Sequence, residues 1–458
     1  MKDHTFSLSR RKFLKRAATS AIAAPFIFRY PAITAAPNGK LNHACIGVGG
    51  MMGMNDLQNF MKHPNVQIVA ICDVDSDNLK KASEAVPDAR KYTDWRELLK
   101  KEGDKIDSVN VTVPDHNHFA ISWQAIREGK HVYCQKPMCH DVAEVRQLTE
   151  ASVRYGVITQ LGTQIASGAG DRIAVQWIKD GAIGKVKHAY LCSNRPGAID
   201  SYRLVGPRPP QGQEVPVNLN WDMWIGTAPI RPYAPEIYHP VKWRAWLDFG
   251  TGWSGDIGCH IFDAVWKGLG LKAPNSVIAR VQKSWQDSPE RKSDTWPQSD
   301  QITWIFPGND LTDSNVLPVE WFDGLFYPPQ EIRDLFPGKE YPAESAMLIG
   351  TEGALLLPHR GMPVLLPESK FKDYRTPAFE DRNHYHHFVD ACRGNAKVES
   401  HFTQTGPMTE AILLGTVAIR VPDRELEWDA VNMKFPNYPD ADKYLRRNYR
   451  KGWNMAGF

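Results

Sequence analysis

A glycine-rich run, Gly47-Val48-Gly49-Gly50-Met51-Met52-Gly53, follows one short apolar stretch and opens another segment of helical pattern. Residues of this kind make a phosphate cradle. Small side chains let the backbone approach a pyrophosphate, and a helix N-terminus offers it free N–H groups and positive dipole. The third glycine stands one position later than in the commonest spacing. Asp73 ends the next apolar run, twenty residues after Gly53. An acid at that place accepts hydrogen bonds from the adenosine ribose hydroxyls and repels a 2′-phosphate, so it selects NAD over NADP, and the following Val74-Asp75 adds acid rather than arginine. Two later apolar runs end in Thr112-Val113-Pro114-Asp115-His116-Asn117-His118 and in Gln135-Lys136-Pro137. Ligands lie at such strand ends. Cofactor contacts are therefore expected at Gly47, Gly49, Gly50, Gly53, Asp73, Thr112, Pro114, His118, Gln135 and Lys136, with Asp115 expected only to cap the next helix.

The elements that must carry these residues are legible from periodicity. Strands are expected at 42–48, 66–72, 108–113, 131–134 and 157–161, alternating with helices at 51–62, 76–85, 95–101, 117–128 and 141–155. Nearly continuous apolar strands in strand–helix alternation mean a parallel sheet covered on both faces, a doubly wound Rossmann domain over about residues 40–162. Beyond it, over 163–458, strands outnumber helices. Strands are expected near 186–193, 276–285, 301–306, 316–322, 346–349 and 354–357, with helices at 169–180, 256–268, 385–393 and 407–421. That predicts an α+β second domain on a mixed or antiparallel sheet. Between them, 195–249 is rich in Pro, Trp and Tyr and poor in regular pattern, which in a folded protein marks a functional segment.

Together the glycine turn, Asp73, the 114–118 turn, Lys136-Pro137 and the run from Gly250 to His260 (Gly-Thr-Gly-Trp-Ser-Gly-Asp-Ile-Gly-Cys-His) resemble the glucose-fructose oxidoreductase, inositol dehydrogenase and rhizopine catabolism (Gfo/Idh/MocA) family. The resemblance implies an α/β fold with a large open mixed sheet in the second domain, and an NAD-dependent oxidation of a sugar, glycoside or polyol. It places Lys136 beside nicotinamide and substrate and completes the site with Asp256 and His260, which a helix would set on one face. Oxidising a secondary alcohol needs a base for its O–H proton and a cation for the developing alkoxide. His260 suits the base and Lys136 the cation or relay, with Asp256 orienting the substrate or tuning the pair. Tyr238, His239, Trp243 and Arg244 are expected to rim the substrate. The family's Glu-Lys-Pro is Gln135-Lys136-Pro137 here, which removes a carboxylate beside the lysine. By analogy a homodimer or homotetramer is expected. The histidines 384, 386 and 387 read as the polar start of a helix, and no metal is expected.

Arg10-Arg11, the apolar stretch 17–27 and the small residues 34–36 resemble a twin-arginine (Tat) export signal, so 1–36 is expected to be removed and the mature protein to be periplasmic or otherwise exported by the Tat machinery. Setting aside the seven basic residues and one acid of that leader leaves 48 basic against 51 acidic, net −3. That balance gives no reason to expect nucleic acid or an anionic membrane as partner. No later run approaches the ~20 apolar residues of a membrane span. Seven cysteines without a Cys-x-x-Cys are read as buried thiols, with Cys134 and Cys139 the pair to inspect. Export sharpens the functional expectation. Free NAD is not expected outside the cytoplasm, so the cofactor should be tightly bound and restored in place by a second substrate or within one substrate. The alternative is a glycosidase that works by oxidation, elimination, hydration and reduction. A redox-inert sugar-binding protein is a third reading.

Overall fold

Strand–helix alternation from Leu41 onward resolves into a six-stranded parallel sheet. Its strands are β1 (Leu41–Ile46), β2 (Val66–Cys72), β3 (Arg90–Tyr92), β4 (Ser108–Val111), β5 (His131–Cys134) and β6 (Thr159–Leu161), in the order β3-β2-β1-β4-β5-β6. The computed structural model describes residues 39–195, 212–455 and 457–458, so the expected leader at 1–36 lies outside the described residues. Around the sheet run α1 (Gly50–Met61), α2 (Ser76–Ala85), α3 (Trp95–Glu102), α4 (Asp115–Arg127) and α5 (Val142–Arg154). β4 and β5 are buried at every residue, as strands covered on both faces must be. Register brings the site residues into a row. Ile46 pairs with Cys72 and with Val111, and Val111 pairs with Cys134, so Gly47, Asp73, Thr112 and Gln135 leave the sheet along one edge.

The second domain is an eight-stranded mixed sheet, ordered β13-β12-β11-β7-β10-β9-β8-β14. Its strands are β7 (Val186–Ser193), β8 (Ser276–Val281), β9 (Asp300–Pro307), β10 (Val316–Asp323), β11 (Glu344–Gly350), β12 (Ala354–Pro358), β13 (Val364–Leu366) and β14 (Leu426–Glu427), of which only β7 and β10 pair in parallel. Its helices are α6 (Ala169–Lys179), α7 (Gly252–Leu269), α8 (His384–Cys392) and α9 (Phe402–Arg420). Periodicity missed β3, β13 and β14, which are two or three residues long. It also started α9 at Pro407. The helix begins at Phe402, and Pro407 lies inside it. All seven cysteines are free and buried, Cys134 and Cys139 included.

Two irregular segments tie the domains together. The stretch from Gly212 to Phe249 has no long element and packs as a cluster of Trp221, Trp224, Tyr238, Trp246 and Phe249. The C-terminal tail brings Arg447 to Glu144 on α5 at 2.8 Å and to the His116 carbonyl at 2.5 Å, and Thr227 of the first segment donates to that same carbonyl at 2.6 Å. The start of α4 is thereby fixed from two sides. Glu144 has no solvent exposure, so its charge depends on Arg447. Removing one partner of such a pair leaves an uncompensated buried charge, at about 3–5 kcal/mol. Arg447→Met should therefore lower the free energy of unfolding by that amount, read as a lower urea midpoint at unchanged slope, and an unaltered midpoint would refute this account of the tail.

Candidate active site

The glycine turn is shaped by contacts that only glycine allows. Gly47 has φ +83°, and a Cβ on it would lie 2.0 Å from the Thr112 carbonyl oxygen. A Cβ on Gly53 would fall 2.6 Å from the Val48 carbonyl carbon, so the glycine that looks one place late in sequence is the one that lets α1 pack onto the turn. Gly50, the first residue of α1, has φ +63° and open space where its Cβ would be, which fits a pyrophosphate drawn to the helix N-terminus. Asp73 braces this turn, accepting from the N–H groups of Val48 at 3.0 Å and Gly49 at 2.8 Å, and from Asp75 at 2.9 Å. Its carboxylate retains lone pairs for ribose hydroxyls, and the neighbouring Asp75 would oppose a 2′-phosphate.

Beneath the row of strand ends lies a buried polar network that centres on Asp56 of α1. Its carboxylate accepts from the Gln135 amide at 2.9 and 3.0 Å, from the Thr112 hydroxyl at 2.7 Å and from the Tyr385 hydroxyl at 2.8 Å. Burial pushes the Asp56 carboxyl above its ordinary value even against these hydrogen bonds. The glutamine at 135 is thus explained. A glutamate there would set two carboxylates together in the core, whereas the amide donates to Asp56 and its oxygen faces the Lys136 N–H at 3.3 Å. The side chains of Thr112 and Gln135 are committed to this network.

Lys136 crosses to the second domain. Its ammonium donates to Asp256 Oδ1 at 2.6 Å, with Lys136 at 16 % and Asp256 at 6 % side-chain exposure. Arg244 Nε lies 3.7 Å from the other carboxylate oxygen. Burial would raise the Asp256 carboxyl, but the Lys136 and Arg244 charges hold it below its ordinary value, so it is an anion. Asp256 sits inside α7 rather than at its cap, and His260 follows one turn later, as the spacing predicts. Burial and the Lys136 charge push the His260 imidazole well below its ordinary value, so the ring is neutral at working pH. His359, just after β12, brings its ring centroid to 5.0 Å from that of His260, and the Nδ1 atoms of both are buried without a partner. The cluster holds a cation, an anion and two neutral imidazoles at the edge where the nucleotide domain ends: the ingredients for stabilising an alkoxide and moving its proton.

Several expected residues are placed elsewhere. Both ring nitrogens of His118 face backbone carbonyls, Pro137 at 2.6 Å and Val113 at 2.7 Å. A carbonyl can only accept, so both nitrogens donate. Burial opposes the charge, but the Cys134 thiol and the two carbonyls outweigh it and raise the His118 pKa. The ring braces the Lys136-Pro137 turn. Pro114 takes the N-cap position of α4 with no side-chain bond, and Asp115 does not cap, since its carboxylate accepts instead from the Thr251 hydroxyl at 3.1 Å. Among the expected rim residues only Arg244 reaches Asp256. Tyr238 and Trp243 are buried in the aromatic cluster, with Arg244 stacked 4.2 Å over the Trp243 ring. His239 lies 4.0 Å from Asp75, at the ribose end. His384 bonds Ser167 at 2.7 Å and the Leu161 carbonyl at 2.9 Å, in keeping with a structural role. Sequence reasoning missed Asp56, Asp115 and His359. Only Asp56 carried a signal: it shares the buried face of α1 with Gly53, Leu57 and Phe60, where an acid is out of place.

Comparison with known proteins agrees with this architecture. Residues 41–163 match the family model for an oxidoreductase family, NAD-binding Rossmann fold, and residues 178–327 match that for the same family's C-terminal alpha/beta domain. The chain is similar to a D-apiose dehydrogenase of Paraburkholderia graminis, with 29% identity over 145 residues, 32% of this chain and 38% of that one. A glycosyl hydrolase family 109 protein of Saccharopolyspora erythraea is 35% identical over 116 residues, 23% of this chain and 25% of that protein. The matched stretches thus span well under half of these relatives. Among solved structures, the WlbA dehydrogenase from Bordetella pertussis in complex with NADH and UDP-GlcNAcA shares the fold, with a TM-score of 0.59, 14% identity, and coverage of 85% of this chain and 99% of that one.

The Asp56 network makes a specific prediction. Gln135→Glu should destabilise the protein by about 1–3 kcal/mol at neutral pH, because a donor is lost and a second buried carboxyl is added. Asp56→Asn in the same chain should restore most of the loss in thermal melts. Equal stability of the single variant and the wild type would contradict the arrangement.

Proposed function

The chain belongs to the Gfo/Idh/MocA oxidoreductase family, and from that premise we propose that it is an exported enzyme that oxidises a secondary alcohol of a sugar, glycoside or polyol with an NAD held in the protein and restored in place. The observation that carries this reading is the Lys136–Asp256 pair at 2.6 Å, with a neutral His260 one helical turn away, at the carboxyl edge of an NAD-binding sheet. NAD bound on the glycine turn supplies the hydride acceptor. The chain's own residues do the rest. Lys136 donates to the substrate oxygen and stabilises it as it becomes an alkoxide, Asp256 holds that ammonium in place, Arg244 adds positive charge beside it, and His260 meets the alcohol proton.

Restoration of the cofactor in place is supported by the way the second domain covers the ribose end. Asn218 accepts from the Ser76 N–H at 2.8 Å and donates to Asp75 at 2.9 Å, and the Asn220 N–H donates to Val74 at 2.8 Å. The turn between β2 and α2, where the adenosine ribose would be recognised, is therefore clasped by residues 218–220. A nucleotide seated beside Asp73 would lie next to that clasp. Transport of the folded, loaded protein by a twin-arginine route fits the same picture and gives the sequence 1–36 its purpose.

A second reading is favoured by the relatives named as glycosyl hydrolase family 109 proteins. Oxidation at one carbon acidifies its neighbour's proton, elimination expels the aglycone, water adds, and the returning hydride gives net hydrolysis. The two readings separate on one assay: cleavage of a nitrophenyl glycoside without added acceptor, with solvent deuterium entering at C2, belongs to the second alone.

Denaturing the purified mature protein should release about one NAD(H) per chain, identified by mass and absorbance, as expected for a cofactor that cannot leave during turnover. An empty protein that binds NAD weakly would refute a resident cofactor. Lys136→Ala and His260→Ala should each slow reduction of the bound nucleotide by about 10²–10⁴-fold while the nucleotide is retained. Unchanged rates in folded variants would refute these roles, and a wild type that binds sugar but never reduces its nucleotide would be a redox-inert sugar binder.

A further inference from the structure

Beside His260, four elements of the second domain meet at their ends. α7 opens with Gly252 and Trp253, β7 closes at Ser193, β11 starts at Glu344 and β12 closes at Pro358. Hydrogen bonds join them into one corner. Ser193 pairs with Glu344 across the strands, and the His359 N–H donates to the Glu344 carbonyl at 2.9 Å. The Trp253 indole N–H donates to the carbonyl and hydroxyl oxygens of Ser193, both at 3.1 Å, and the Ser193 hydroxyl donates to Glu344 Oε1 at 2.8 Å. That same carboxylate oxygen steers Arg195, whose Nε stands 3.7 Å away and whose guanidinium carbon lies 5.3 Å from the Trp253 ring centroid. The corner adjoins the reaction centre twice over. Trp253 precedes Asp256 by one helical turn, and His359 brings its ring to 5.0 Å from that of His260.

The charge of this corner is unbalanced. Arg195 is 44 % exposed over a buried indole, and at 3.7 Å Glu344 forms an ion pair with its Nε but no hydrogen bond. Arg360, exposed, follows His359 directly. Burial pushes the His359 imidazole down to about 4, and the Arg360, Arg195 and Lys136 charges act in the same direction against Glu344. Lys136, Arg244, Arg195 and Arg360 thus stand against the carboxylates of Asp256 and Glu344. Asp115, pushed up to about 7 by burial and the Asp256 charge, is too weak an acid to supply a full third. An anionic substrate would offset that surplus, and the planar fork of a guanidinium fits a carboxylate best. We propose that this corner is a carboxylate subsite and that the substrate is a uronic acid or a glycoside of one, its carboxylate on Arg195 beside Arg360 and its reacting hydroxyl at Lys136 and His260. This rests on the oxidation–reduction reading above. Trp253 and Asp256 are ~4.5 Å apart along the helix axis, a spacing that one sugar ring can bridge.

The test uses the mature chain with its bound nucleotide and three pairs of probes that differ only at the C5 substituent. These are the methyl β-glycosides of D-glucuronate, D-galacturonate and D-mannuronate against those of D-glucose, D-galactose and D-mannose. In calorimetric titrations at least one uronoside should bind about 10–100-fold more tightly than its neutral counterpart. Arg195→Gln should bring that ratio to within about threefold of unity, Arg195→Lys should leave it intermediate, and Arg360→Gln should lower it about threefold to tenfold. Equal or absent binding of all three pairs by the wild type, or a preference that survives Arg195→Gln in a folded protein, overturns the proposal. Reduction of the bound nucleotide, followed by its absorbance, is the second readout. A wild type that prefers the uronoside but reduces no nucleotide with it keeps the subsite and counts against the oxidoreductase reading. Faster reduction by the neutral sugars than by any uronoside overturns the subsite and keeps that reading.

Discussion

Everything at the reaction centre is arranged around an ammonium and a carboxylate that meet at 2.6 Å away from bulk water. Taking both charges out of solvent costs several kcal/mol each, and their attraction offsets that only if the geometry is tight and the remaining donors and acceptors are met. The protein meets this condition by building the pair across two domains. Lys136 leaves the end of β5, and Asp256 stands on α7 of the second domain, with Arg244 beside it. The separation of the two domains is therefore fixed by a polar contact as well as by the apolar packing of α9 between them.

The same rule governs the layer below. Asp56 is a carboxylate on the core face of a helix, and it is tolerated because Gln135, Thr112 and Tyr385 all donate to it. His118 is placed by two backbone carbonyls, and the start of α4 by Arg447 and Thr227. Each brace acts on a residue adjacent to the site rather than on the site itself. The effect is to leave Lys136 and its neighbours little freedom to reorganise.

Beside this rigid centre, the irregular segment is a fixture of a different kind. Its tryptophans form their own small core around Arg231, which pairs with Asp248 and Asp294 and lies under three aromatic rings. These rings hold the segment together, so that Asn218 and Asn220 can reach the turn after β2.

What the sequence determined by itself was local: the glycine turn, the strand that precedes it, the acid that ends the next strand, and the helical spacing of Asp256 and His260. Each of these follows from backbone geometry or periodicity within a short window. Strand order, and with it the alignment of Gly47, Asp73, Thr112 and Gln135 along one edge, came from the structure. Only the tertiary structure decided which polar groups are used up. Thr112, Gln135 and His118 looked like cofactor contacts and are spent on buried partners, because a polar group removed from water must find a partner wherever the fold supplies one. Asp115 looked like a cap, and its carboxylate accepts from the Thr251 hydroxyl instead. Thr251, distant in sequence, was brought to it, and no pattern around residue 115 records its arrival.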